Sequence, residues 1–122
     1  MKKHLSAASA VCLTLAFALT LVSCATFKSN SYKTLAASKS TYEYLMTSAG
    51  DLYKQGKLEE TDKDAVINLG RKFKDSHNAA VAALLRYEET GSDNANQEFY
   101  REFALATEFL TSIITFIETT VE

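Results

Sequence analysis

Proline is missing from this 122-residue sequence and glycine occurs only four times. Proline is the strongest breaker of helix interiors, so its absence lets long helices run without interruption. Cysteine is nearly missing as well. Cys12 falls inside the N-terminal apolar run and Cys24 is the only other one, which excludes an internal disulfide in the rest of the chain. A basic stripe is also lacking. Once Lys2 and Lys3 are set aside with the leader, 11 basic and 15 acidic side chains remain, a formal charge near −4, and the bases are scattered among acids. Neutralising a row of phosphates needs clustered cations, so no nucleic-acid partner is expected.

The groups of an enzyme are equally scarce. His77 is the only histidine beyond the leader, and no Gly-x-Ser-x-Gly turn places a nucleophile beside it. No glycine-rich run precedes a helix to cradle phosphate. Glu-x-x-His pairs are absent, and Asp75 and His77 fall on different helix faces, so no metal site is expected. The sequence therefore points to a protein that is not an enzyme and carries no cofactor apart from a covalent lipid. Near half of the residues are apolar and about a quarter charged, the balance of a folded globular chain. Its length is that of one domain.

At the N-terminus, Lys2 and Lys3 precede an apolar run from Leu5 to Val22, the charged and apolar regions of a secretory signal. The run ends in Leu21-Val22-Ser23-Cys24. This ending resembles the lipobox of bacterial lipoproteins. That resemblance implies cleavage after Ser23 and a diacylglyceryl group in thioether linkage on Cys24. A transmembrane anchor, for which a run of about 18 residues is barely long enough, leaves the position of the cysteine unexplained. So does an ordinary cleaved signal. Two or three acyl chains, each buried methylene adding about 0.8 kcal/mol, make attachment effectively permanent. By the same resemblance, Ala25 after the cysteine favours the outer membrane in an organism with two membranes. In one with a single membrane, the outer face of the plasma membrane is expected.

Three segments are thus expected: a signal peptide over 1–23, the lipidated Cys24 with a short tether over 24–31, and a helical domain over 32–122. Ala25–Ser31 is polar and aperiodic and reads as a tether. The first helix is predicted from about Tyr32 to Gln55, with Leu35, Ser38, Tyr42, Leu45, Ala49 and Leu52 on one stripe and Gly56 as the cap. Thr61 to Asp64 has the form of a capping box opening the second helix, whose stripe runs from Val66 through Phe73, His77 and Ala80 to Leu84 before Gly91. Asp93 or Asn94 caps the third, with Phe99, Phe103, Ala106, Leu110, Ile113 and Ile117 in register. Short connections force neighbours antiparallel, so the fold class is all-α, an up-down-up three-helix bundle.

Two features bear on function. Leu105, Phe109 and Phe116 lie about a quarter-turn round from the main stripe of the third helix. They are either shared between two neighbouring helices or exposed as a partner surface. An envelope protein or a second copy of the chain is then the expected partner, with the membrane reached through the lipid. Small residues at Gly70, Ala49, Ala80 and Ala106 leave open an alternative, a carrier with a cavity for a small ligand or metal. Close helix packing is the other use of such residues. His77 reads as a core-edge histidine or as a pH sensor.

Overall fold

A computed structural model describes residues 24–121, and the signal peptide expected over 1–23 lies outside the described residues. The described residues form three helices: α1 over Cys24–Lys54, α2 over Glu60–Thr90 and α3 over Asp93–Val121. The fold is all-α, and no strand occurs among the described residues. Tyr32–Glu122 forms one compact unit.

Paired side chains fix the direction of the helices. Tyr53 meets Glu60, Tyr42 stacks on Phe73, and the Leu35 carbonyl meets His77, so α1 and α2 run antiparallel. Arg86 bridges to Glu98, and Lys72 lies over Phe109, so α2 and α3 do the same. The result is the up-down-up bundle.

Both connections are closed by glycine in the left-handed region, where a Cβ is strained. After α1, Gly56 (φ 77°) donates to Tyr53 O at 3.0 Å and Lys57 to Leu52 O at 2.9 Å. These two bonds are a Schellman motif. After α2, Gly91 (φ 63°) donates to Tyr87 O at 2.7 Å, the simpler left-handed cap. Between α1 and α2, Leu58 turns inward and is only 3% exposed, packing with Ala49, Val66 and Ile113.

Two starts differ from the sequence expectation. Ala25–Ser31, expected as an aperiodic tether, is helical. These residues include no proline or glycine, and extending an existing helix needs one bond per residue, not a new nucleus. The capping box of α2 sits two residues earlier than Thr61–Asp64: Glu59 is the N-cap, and its N–H donates to Asp62 Oδ2 at 2.9 Å. A carboxylate at the cap does the work of the expected hydroxyl and sits at the positive helix end.

Two core clusters lie among the described residues. Ala49, Leu58, Val66 and Ile113 form one, and Phe73, Ala106 and Leu110 the other, with Tyr42 and Leu45 packed against both. Phe73, Leu84, Ile113 and Val66 are fully buried, each contributing about 2 kcal/mol of transfer free energy.

Candidate interaction surface

The second apolar strip of α3 divides in the structure. Phe109 is half-buried and packs on the Phe73, Ala106 and Leu110 cluster, while Phe116 is half-buried against the cluster of Ala49, Leu58, Val66 and Ile113. The Lys72 ammonium lies 6.0 Å from the Phe109 ring centroid, so α2 covers part of that ring. Leu105 alone of the three belongs to the exposed surface, at 37% exposure. The wide apolar arc of α3 is therefore mostly shared between its neighbours, and the three residues do not make one free patch.

α3 also presents a row of threonines outward. Thr107, Thr111, Thr115 and Thr119 are all exposed and spaced by four. The hydroxyls of Thr107, Thr111 and Thr119 donate to the carbonyls of Phe103, Thr107 and Thr115 at 3.0, 3.0 and 2.8 Å. This row carries no large apolar residue of the kind that marks a partner surface in the sequence. The i, i+4 threonine spacing was the signal that marks it. By length and composition α3 is apolar enough to cross a membrane, with mean hydropathy 1.3 over its most apolar stretch, of which 17% is buried.

A shallow groove of about 560 Å³ lies between α1 and α2. Tyr42 and Phe73, stacked with centroids 4.6 Å apart, border it, with Lys39, Lys74, Glu43 and His77 around them. Gly70 makes the stack possible. A Cβ there would stand 3.0 Å from Tyr42 Oη and 3.2 Å from Met46 Cε. Burial raises the Tyr42 phenol above its ordinary pKa. His77 is half-buried at the edge of the core, its ring tilted on Phe73 at 5.3 Å. Its Nε2 lies 3.1 Å from the Leu35 carbonyl, a hydrogen bond in the tautomer protonated at Nε2.

One polar cluster fastens the first turn. Tyr53 Oη donates to Glu60 Oε2 at 2.6 Å, Lys63 Nζ stands 2.8 Å from Glu60 Oε1, and the same ammonium lies 4.6 Å from the Tyr53 ring centroid. Hydrogen bonds from Lys63 and Tyr53 hold the Glu60 carboxyl below its usual pKa, and Glu60 in turn raises both Tyr53 and Lys63. The cluster is exposed and built like a clamp on the turn. No group of three or more His, Cys, Asp or Glu side chains among the described residues is arranged to hold a metal ion. Cys24 opens α1 as the first described residue.

Comparison with family models, curated proteins and solved structures finds no match to this chain.

Proposed function

We propose that the chain is a small cell-envelope lipoprotein that acts by binding another protein. Anchoring rests on Leu21-Val22-Ser23-Cys24 at the end of an apolar run, where a lipidated Cys24 would hold the bundle at a membrane surface. In an organism with two membranes that surface is the outer membrane. The observation that carries protein binding is the outer face of α3, weakly charged and with three of its four ridge threonine hydroxyls bonded to backbone carbonyls. Such a face leaves water at little cost in lost hydrogen bonds.

Two experiments test the two halves. Cys24→Ala is expected to leave an uncut, unlipidated precursor, and mature-sized protein from that variant removes the anchor. Photo-crosslinking in living cells from a probe at Thr111, on that face, is expected to yield a discrete adduct with an envelope protein. Tyr44, 72% exposed on α1, serves as the control position. No adduct above that control counts against protein binding.

The groove between α1 and α2 supports a second reading, a carrier of a small ligand, since its volume is in the range of small-molecule sites. Thermal melting with a ligand panel separates the two. A specific ligand at a hundred times its dissociation constant adds about 2.7 kcal/mol, and a panel without any shift rejects the carrier.

A further inference from the structure

The helices differ in what they show to solvent. α2 exposes Asp64, Arg71, Lys72, Lys74, Asp75 and Arg86, an ordinary solvated face. From Ala104 onward α3 exposes Thr107, Thr111, Ser112, Thr115 and Thr119, and its only exposed charges among the described residues are Glu108 and Glu118. No basic residue follows Arg101. Residues four apart on a helix form a ridge, so the four threonines are one continuous ridge. Three of their hydroxyls are already bonded to backbone carbonyls. They carry their partners with them when water leaves, and the methyl groups remain as contact surface.

The two carboxylates define what such a ridge accepts. Glu108 and Glu118 form none of the ion pairs found among the described residues. At 100° per residue they fall on opposite sides of the ridge, and their spacing along the axis is about 15 Å. A second copy laid two-fold on this face would bring four carboxylates and no base into one seam. An anionic lipid surface would repel both acids. A helix with cations at the same spacing meets them with opposite charge.

We infer that this face of α3 receives an amphipathic helix from another protein, its small or aliphatic residues packed on the threonine ridge and its Lys or Arg side chains meeting Glu108 and Glu118. The inference rests on the protein-binding reading above and gives it a chemistry.

The test uses the full chain in detergent and two synthetic helical peptides with the same apolar face, carrying either lysine or glutamate about three turns apart. Binding is read by fluorescence anisotropy. The lysine peptide is expected to bind about tenfold more tightly, with a preference that shrinks as salt rises. The Glu108→Lys/Glu118→Lys variant reverses that preference, and Glu108→Gln/Glu118→Gln abolishes it. Far-UV circular dichroism checks that each variant keeps its helices. Equal binding of the two peptides, binding of neither, or a preference that survives charge reversal overturns the inference. A blue shift of an environment-sensitive dye attached at position 111 of the full chain, on adding phosphatidylglycerol vesicles, overturns it in favour of lipid, and dimerisation abolished by Thr111→Arg does so in favour of a second copy. A Thr111 adduct in cells, with peptides that fail to discriminate, leaves protein binding standing and removes the charge-matched helix. Absence of both removes both.

Discussion

Glycine at two helical positions does two different things. Around Gly50 an added Cβ meets nothing within 4 Å, whereas at Gly70 it meets the Tyr42 phenol and the Met46 methyl. Alanine in an open helix interior gains about 1 kcal/mol over glycine, so Gly50→Ala is expected to stabilise by that amount in urea unfolding. At Gly70 the same gain is opposed by overpacking, which costs roughly 1–3 kcal/mol. Gly70→Ala is therefore expected to destabilise by about 1 kcal/mol, and adding Tyr42→Phe, which deletes the nearest atom, should recover part of it. A stabilising Gly70→Ala would mean that Tyr42 shifts freely despite its stack on Phe73. The close approach at Gly70 was legible in the sequence only as a small residue, because nothing there says which ring it faces. Ser76 is a related case. It is buried although apolar periodicity gives that inner position to His77, since a small side chain fits where α2 packs against neighbours on two sides.

At the level of elements, stripes of large apolar residues read well, and the buried set on α3, Phe99, Ala106, Leu110 and Ile113, follows the expected stripe. Starts and connections read less well. Leu58 lies in a segment whose sequence reads only as a turn, yet it fills the end of the core. Leu58→Ala is expected to cost about 2–4 kcal/mol, as for other buried leucines, and a loss under 1 kcal/mol would show that the turn can collapse to fill the space. Beside it, the Tyr53, Glu60 and Lys63 clamp makes stability depend on pH in two windows. Glu60 has a lowered pKa in the fold, so its contribution is present above the ordinary carboxylate range and lost as pH falls through the lowered value. Tyr53 and Lys63 have raised pKa values, so theirs is present below about pH 10 and lost as pH rises through the raised values. The melting temperature of the parent should exceed that of Glu60→Gln most between about pH 5 and 9, with the two converging at both ends. A constant difference across that range would assign the effect to shape and not to charge.

Over the whole molecule, the bundle was legible because two short connections leave antiparallel neighbours as the simple arrangement. The outward threonine row of α3 was not, since its exposure becomes visible only once the core has claimed the aromatic residues. The same architecture fixes how the chain folds. Tyr42 and Leu45 pack against both core clusters, so neither cluster can open without disturbing residues of the other, and one cooperative transition is expected. Contacts between adjacent antiparallel helices are close in sequence, which favours folding in milliseconds or less. Slow phases of tens of seconds in refolding come chiefly from proline isomerisation, and this chain has no proline. With no tryptophan present, the tyrosines report folding, Tyr42 through its stack on Phe73. Stopped-flow refolding of dilute chain, followed by tyrosine fluorescence, should be a single exponential with no amplitude beyond about one second, the rate independent of concentration. A slow phase that grows with concentration would show that the bundle completes its fold by association, and a concentration-independent one that the two clusters form in separate steps.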